Sequence, residues 1–272
     1  MNGDWLTAPL PARPARGVLT WLRILRRGLA LGLLVFGGLA FLLLLRLVEK
    51  PVHGVARPWT PWITQGVCRA AFWILGMGHS TDGDRMTQPG AVVANHGSWL
   101  DIFALNARKR VYFVSKDEVA GWPGIGWLAR ATGTVFITRA AREAKAQKAL
   151  FEERLGAGHK LLFFPEGTSS DSQRVLPFKS TLFAAFFTEN LRDKVFVQPV
   201  TVRYTAPPDT DPRFYGWWGE MDFAGHLLQV LAAPVQGSVK VTYHQPLRVS
   251  DFPDRKSLAR ACEQVVRDGF AA

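Results

Sequence analysis

Residues 91–101 read AVVANHGSWLD, and this stretch carries the pattern on which the fold depends. The apolar run at its start has the length and composition of a buried strand. Ser98 then stands as a candidate helix N-cap, with Asp101 three positions later in the place of a capping-box acid. The stretch therefore predicts a strand, a short turn that holds His96, and the start of a helix with Asp101 at its third position.

The same alternation of apolar runs and amphipathic segments continues after residue 78. Strands that alternate with helices predict an α/β domain with a mainly parallel mixed sheet flanked by helices. Residues 205–223 are loop-like and rich in aromatics, and indicate either a packed surface loop or a lipid-facing rim. The further strand candidates are 111–115, 134–138, 161–165, 195–204 and 238–244, and the helix candidates are 99–108, 141–156, 178–191 and 254–269.

Composition restricts the class of protein. A hydrophobic fraction of 48% and ten tryptophans in 272 residues exclude a disordered chain. The net charge of +11 favours an anionic partner. Much of this charge flanks an apolar segment and no basic-aromatic motif is present, which disfavours nucleic acid as that partner. Cys68 and Cys262 lie far apart, and we expect two buried thiols rather than a disulfide or a zinc site.

The N-terminal region has the composition of a membrane anchor. Residues 28–45 contain no charge over 18 positions, the lower limit for a spanning helix, and five arginines precede them. This bias keeps the N-terminus in the cytoplasm, and a cleaved signal peptide is disfavoured because no A-x-A site follows. Residues 58–78 are apolar but interrupted by Gln65 and Arg69, and their three tryptophans are typical of an interfacial helix.

We therefore expect residues 1–78 to be a membrane-anchoring segment of two hydrophobic helices, followed by an α/β domain over residues 79–272. Two helices joined at Pro51 can dip into one leaflet and return, which leaves the domain in the cytoplasm. A single span would place the domain outside. The sequence leaves both arrangements open.

His96 and Asp101 form a candidate acid–base pair. Five positions turn through about 500° on a helix, so the two side chains would diverge if both were helical. If His96 precedes the helix, its imidazole can fold back toward the Asp101 carboxylate, which leaves the second ring nitrogen as a general base. The plainer alternative is a helix cap beside a polar strand end. No G-x-S-x-G nucleophile or second metal-ligand histidine accompanies the pair, which disfavours a serine hydrolase and a metal site.

Other polar residues follow later strands of the predicted sheet. Arg139 ends the run GTVFITR, and Glu166, Gly167 and Thr168 follow the run LLFFP. Ligands gather where parallel strands end, so these residues are site candidates. Taken singly, Arg139 is an ordinary solvated charge and the glycine an ordinary turn residue.

In order, the blocks NHGSWLD, GTVFITR, FPEGTS and VQPV resemble those of the glycerolipid acyltransferase (1-acylglycerol-3-phosphate acyltransferase-like) family, from about Gly90 to Tyr204. The resemblance implies that His96 deprotonates a lyso-lipid hydroxyl, that Asp101 orients His96, and that the oxygen attacks an acyl thioester. It further implies that the Pro199 block supports the site and that the donor is an acyl carrier protein or coenzyme A thioester, with no metal or redox cofactor. The residues that it implies for acceptor binding are Arg139, Glu166, Gly167, Thr168 and Ser169.

One departure from the family pattern bears on the acceptor. Members that use a phosphate acceptor have arginine directly after Glu-Gly-Thr, where this chain has Ser169, followed by Ser170 and Asp171. Loss of a guanidinium weakens a phosphate site, although Arg139 and Arg174 can compensate. The stretches EGTSSDSQRVLPFKSTLF and WWGEMDF are similar to the bacterial branch that acylates lyso-ornithine lipid.

That branch implies an enzyme of the bacterial inner membrane whose catalytic domain faces the cytoplasm and contacts an anionic membrane surface. Two alternatives remain at this stage. The first is an acyltransferase that makes phosphatidic acid, and the second is an inactive, membrane-anchored lipid-binding protein.

Overall fold

A computed structural model describes residues 4–7, 9–11, 17–138 and 144–272 of the chain. Its strands form one eight-stranded sheet. In chain order they are Gly78–Asp82 (β1), Gly90–Ala94 (β2), Tyr112–Lys116 (β3), Val135–Ile137 (β4), Lys160–Phe163 (β5), Phe196–Thr205 (β6), Ser238–Tyr243 (β7) and Leu247–Arg248 (β8).

The strand order is β1-β7-β6-β2-β5-β3-β4, and β8 pairs with β6. Strand β6 is antiparallel to β7 and β8, whereas the other neighbours run parallel. The predicted mainly parallel mixed sheet is therefore confirmed. The described helices are Asp4–Thr7 (α1), Val18–His53 (α2), Thr60–Leu75 (α3), Asp101–Asn106 (α4), Ile125–Thr132 (α5), Ala144–Gly156 (α6), Phe223–Ala232 (α7) and Arg255–Ala271 (α8).

Strand β2 lies in the middle of the sheet and is buried on both faces. Val92 and Ala94 pack into a core shared with α3, α4 and α7, while Ala91 and Val93 face a second core shared with α6 and α8. Burial on both faces explains why this strand reads as a continuous apolar run rather than an alternating one. Strand β2 ends at Ala94, so the residues that follow it lie at the carboxyl edge of the sheet.

The six predicted strands are present, but the helix predicted over 178–191 is wrong. The chain forms instead a 3₁₀-helix over Leu182–Phe187. In a 3₁₀-helix residues three apart lie on the same face, and this spacing lets both Phe183 and Phe186 pack on Phe163. Sequence reasoning also missed five short elements, β1, β8, α1, α5 and α7.

The N-terminal anchor differs from its prediction. Helix α2 runs from Val18 to His53, with Pro51 inside its last turn, so the chain turns after His53 rather than at Pro51. Among the described residues, α2 is the one helix long and apolar enough to cross a membrane. Helix α3 has 16 residues and buries Phe72 and Leu75 in the core. The two-helix anchor is therefore not confirmed.

The N-terminal half of α2 is hydrogen-bonded to the α/β domain. The buried Arg27 guanidinium donates to the carbonyl oxygens of Leu231 and Ala233, at 3.1 and 2.6 Å, at the end of α7. Because α3 also contributes side chains to the central core, contacts cross the proposed division at residue 78. That division stays a prediction.

The aromatic loop over residues 205–223 is packed into the body of the protein. Phe214, Tyr215 and Trp218 are buried. The loop also reaches the strand–helix turn after β2, since the backbone N–H of Trp217 donates to the carbonyl of Gly97 at 2.9 Å. The burial of these three aromatics agrees with a packed surface loop, the first of the two alternatives, rather than with a lipid-facing rim. The two cysteines are free buried thiols, as predicted.

Candidate active site

The turn after β2 brings His96 and Asp101 into direct contact. Strand β2 ends at Ala94 and α4 begins at Asp101, so His96 lies ahead of the helix. The His96 Nδ1 atom lies 2.7 Å from Asp101 Oδ2. Because a carboxylate oxygen accepts, Nδ1 carries the proton and the Nε2 lone pair is available. Nε2 makes no hydrogen bond with any described residue.

The Asp101 side chain is fully buried and accepts hydrogen bonds on both oxygens. Oδ2 accepts from the backbone N–H groups of Gly97 and Ser98, at 2.9 and 3.1 Å, and Oδ1 accepts from the Tyr204 hydroxyl at 2.6 Å. With His96, these donors give the carboxylate four partners, which compensates for its removal from water. The geometry holds a negative charge beneath the imidazole.

The capping box is present only in part. Asp101 accepts from the Ser98 N–H, as a capping-box acid does, but the Ser98 hydroxyl accepts from Leu100 N–H at 3.3 Å rather than from Asp101. Helix α4 begins at Asp101, not two residues earlier as predicted. Capping and contact with His96 therefore use the same carboxylate oxygen.

The imidazole of His96 is held by stacking as well as by Asp101. Its ring lies parallel to that of Phe164, with 4.0 Å between centroids and 10° between planes. About 18% of the His96 side chain remains exposed. The ring is therefore fixed in orientation yet open to a substrate.

Glu166 lies beneath the histidine turn rather than in open space. Its Oε1 accepts from His96 N–H at 3.0 Å and its Oε2 from Leu176 N–H at 3.2 Å. Burial, with a smaller contribution from the Asp101 carboxylate, raises the pKa of Glu166 to about 8. Glu166 thus joins the end of β2 to the segment after β5.

The remaining residues of the Glu-Gly-Thr-Ser turn are more open. Gly167 has φ of +73°, a conformation that favours glycine, and Thr168 is exposed while Ser169 is half-buried. The next residue, Ser170, donates its N–H to the His96 carbonyl at 2.8 Å. The turn is therefore adjacent to His96. The acceptor-binding role of its residues stays a prediction.

Gly97 accommodates a close approach of the segment after β5. The Ser172 hydroxyl donates to the Gly97 carbonyl at 3.1 Å. A Cβ atom on Gly97 would lie 2.3 Å from Ser172 Oγ, so a larger residue does not fit without a shift. Ser172 itself has φ of +61°, which is uncommon for a residue other than glycine. The geometry of the His96 turn thus depends on Ser172.

Two arginines were candidates for binding a phosphate. Arg139 lies outside the described residues. Arg174 is paired with the buried Asp171, with Nε 3.0 Å from Oδ1 and Nη2 2.9 Å from Oδ2. This two-bond arrangement satisfies the guanidinium within the protein. Arg174 does not offer an unpaired charge to an acceptor.

Sequence reasoning missed Tyr204 as a site residue. It lies on β6, which pairs in parallel with β2, and it reaches Asp101 from 103 positions away. The signal available in the sequence was a polar aromatic near the end of a strand. Asn95, directly after β2, connects the same pair of strands by two 2.8 Å hydrogen bonds with the Val202 backbone.

The described architecture is an open α/β sheet with a His–Asp pair at its carboxyl edge. The Acyltransferase family profile matches residues 79–203. A lyso-ornithine lipid O-acyltransferase of Rhodobacter capsulatus is 59% identical over 266 residues, which cover 96% of this chain and 95% of that protein. The chain belongs to the acyltransferase family.

Two further relatives agree with this assignment. A lyso-ornithine lipid O-acyltransferase of Pseudomonas aeruginosa is 35% identical over 249 residues, 90% of this chain and 92% of that protein. The crystal structure of the 1-acyl-sn-glycerophosphate acyltransferase PlsC of Thermotoga maritima superposes with a TM-score of 0.66 at 25% identity, covering 93% of this chain and 95% of that one. Together with the apolar α2, these lipid enzymes indicate association with a membrane.

Proposed function

We propose that this enzyme transfers a fatty acyl group from an acyl thioester to the hydroxyl of lyso-ornithine lipid, a step of bacterial membrane lipid synthesis. The observation that carries the reaction is the His96–Asp101 pair at the carboxyl edge of the sheet, where Nε2 of the imidazole makes no hydrogen bond with a described residue. The relatives support the acceptor, because two proteins that are similar to this chain over at least 90% of its length carry that activity in their names.

The chemistry follows from the direction of the hydrogen bonds. The acceptor hydroxyl gives its proton to His96 Nε2 as its oxygen forms a bond to the thioester carbonyl carbon. The Asp101 carboxylate, 2.7 Å from Nδ1, stabilises the imidazolium that forms. When the tetrahedral intermediate collapses, the carbon–sulfur bond breaks and the imidazolium returns the proton to the thiolate. The products are an ester and a free thiol.

The charges near the site support an acceptor without a phosphate. Ser169 stands where an arginine would be expected for a phosphate acceptor, and Arg174 is already paired with Asp171. An amino-acid head group carries an ammonium beside its carboxylate, so its charges balance within the head group, unlike those of a phosphate. Ser169, Thr168 and Gly167 are the turn residues proposed to contact it.

The donor and the cellular location extend the proposal. An acidic acyl carrier protein suits the +11 net charge of the chain, with a coenzyme A thioester as the other source. The reaction as written requires the thioester and no redox cofactor. We place α2 at the cytoplasmic face of the bacterial inner membrane as an anchor that enters one leaflet without crossing it, so that both of its ends and the α/β domain stay on the cytoplasmic side. Arginines precede the apolar part of α2, and Arg27 near its start is hydrogen-bonded to the α/β domain at the end of α7.

The test uses the purified full-length enzyme with acyl carrier protein thioester and two acceptors, lyso-ornithine lipid and lysophosphatidic acid. We expect preferential acylation of lyso-ornithine lipid, and a loss of about 10²–10⁴-fold in kcat for His96→Ala at an unchanged unfolding midpoint. Exclusive use of lysophosphatidic acid would overturn the acceptor. Full transfer by His96→Ala would overturn the general base.

A further inference from the structure

A cavity of about 680 Å³ lies at the edge of the sheet opposite His96. Its walls are the residues that lead into β2, β3 and β5, together with the turn after α2 and the first half of α3. These three strands run parallel, so the segments that enter them lie at one edge and the active site lies at the other. A strand of five residues separates the two edges by about 17 Å.

The cavity is lined by cations. Seven lysine and arginine side chains and two histidines line it, and no aspartate or glutamate is among the lining residues. Among the described residues, none of these seven cations makes an ion pair. This excess positive charge is concentrated in one concave site.

Backbone carbonyls, rather than carboxylates, hold these cations in place. Arg57 donates to the Ala131 carbonyl at 2.7 Å and Arg69 to the Ala107 carbonyl at 2.6 Å. Such carbonyl contacts orient a donor but do not neutralise its positive charge. The cluster is therefore pre-organised for an anion that the chain itself does not supply.

Lys109 is a buried cation of this cavity, and holding its charge there is energetically unfavourable. Its side chain is buried, and its ammonium donates to the Met86 carbonyl at 2.9 Å. Burial, and then repulsion from Lys160 and Arg85, lower the pKa of Lys109 to about 7. A buried ammonium without a carboxylate is expensive unless an anion approaches it.

The surroundings of the cavity indicate where the anion comes from. The exposed apolar face of α2 continues to Val52, next to His53 in the cavity wall. Trp62 is 56% exposed, and the Arg110 guanidinium lies 4.3 Å from the centre of its ring. Tryptophan and basic residues beside an apolar surface are typical of the headgroup level of a bilayer.

We propose that this cavity binds the phosphate group of an anionic phospholipid, at a site separate from the active site. The inference rests on the proposed membrane association of the enzyme. The enzyme would then have two lipid sites. The cavity binds a lipid through its phosphate group, whereas the active site accepts a lipid that has no phosphate.

The experiment measures thermal unfolding of the full-length enzyme in uncharged detergent micelles while phosphatidylglycerol is titrated in. Diacylglycerol, which lacks a phosphate, and inorganic phosphate are titrated in parallel. The cavity variant is Arg108→Gln/Arg110→Gln, because both side chains are exposed, and the matched control is Lys256→Gln/Arg260→Gln on α8. Acyl transfer is assayed in the same preparations.

We expect phosphatidylglycerol to raise the unfolding midpoint of the wild type in a saturable manner, with diacylglycerol inactive. The apparent affinity should fall at least fivefold in the cavity variant and stay unchanged in the control. Equal affinity in the cavity variant and the wild type would overturn the site. Stabilisation by inorganic phosphate but not by phosphatidylglycerol would overturn the lipid source. Absence of acyl transfer with lipid binding intact would count against the proposed function alone.

Discussion

The hydroxyl of Tyr204 donates to Oδ1 of Asp101 at 2.6 Å, on the side of the carboxylate opposite His96. Burial and the neighbouring Asp101 carboxylate raise the pKa of Tyr204 well above its ordinary value, so this hydroxyl stays protonated and donates. The Asp101 carboxylate, which contacts His96, is thus itself held by a residue on β6 that lies 103 positions later in the chain. The geometry of the His96–Asp101 pair therefore depends on the pairing of β2 with β6.

Tyr204→Phe should lower both stability and turnover. The change leaves Asp101 Oδ1 buried without this donor, at a cost of about 1–3 kcal/mol in the free energy of unfolding. The matched control is Tyr243→Phe, since the Tyr243 hydroxyl is also buried but makes no hydrogen bond with a described residue. Urea unfolding of both variants checks the difference. If Tyr204→Phe and Tyr243→Phe lost the same free energy of unfolding, the hydrogen bond from Tyr204 to Asp101 would not contribute to stability.

Asp101→Asn should reduce kcat by about 10²–10⁴-fold, because a neutral amide neither stabilises the imidazolium nor fixes the histidine tautomer. The amide also presents N–H donors to partners that are donors themselves, so the variant should be less stable. Steady-state kinetics with saturating acceptor measure the effect. Asp251→Asn, an exposed position remote from the turn, provides the control. Turnover near the wild-type value in Asp101→Asn would contradict the orienting role.

Glu166→Gln should change how stability depends on pH. Folding holds the Glu166 carboxyl protonated up to a pKa of about 8, whereas its ordinary value is 4.5. Between these values the unfolded chain binds fewer protons, so the stabilisation is complete below about pH 4.5 and is lost as pH rises toward about 8.

Relative to Glu166→Gln, the wild type should therefore lose on the order of a few kcal/mol across that range. Chemical denaturation at several pH values gives the difference, with the exposed Glu189→Gln as the control. A constant offset between wild type and Glu166→Gln would show that Glu166 does not titrate in this window.

Gly97→Ala should destabilise the histidine turn. The new methyl group would lie 2.3 Å from Ser172 Oγ, and overpacking of this kind costs about 1–3 kcal/mol. Adding Ser172→Gly should restore part of the stability, because it removes Oγ and relieves the φ of +61° at that residue. A double-mutant cycle measures this coupling. If the changes in unfolding free energy of Gly97→Ala and Ser172→Gly were additive, the two residues would not be coupled.

Ser169→Arg should shift acceptor preference toward a phosphate. A guanidinium directly after Glu-Gly-Thr supplies paired charged donors, and we expect the ratio of kcat/KM for lysophosphatidic acid over lyso-ornithine lipid to rise about tenfold. Thr181→Arg, an exposed position outside the Glu-Gly-Thr-Ser turn, is the matched control. An unchanged ratio in Ser169→Arg would remove Ser169 as a determinant of acceptor choice.

Much of the fold can be predicted from the sequence, because the burial of a strand or helix gives a local pattern of apolar residues. A sheet covered on both faces turns strands such as 91–95 and 161–165 into continuous apolar runs, and these predict the α/β class. The His96–Asp101 contact is also local, since only a short turn separates the two residues. The helix predicted over 178–191 failed because the packing of Phe183 and Phe186 on Phe163, not local propensity, selects a 3₁₀-helix there.

By itself, then, the sequence determined the class of fold, the candidate pair His96–Asp101, and the departure at Ser169 that bears on the proposed acceptor. Only the tertiary structure showed that Tyr204 holds Asp101, that Glu166 lies under the His96 backbone, and that cations from distant segments line one cavity. The physical reason is that periodicity reports whether a side chain is buried, not which partner it meets. Partners are decided by strand order and register, which bring together residues that are far apart along the chain.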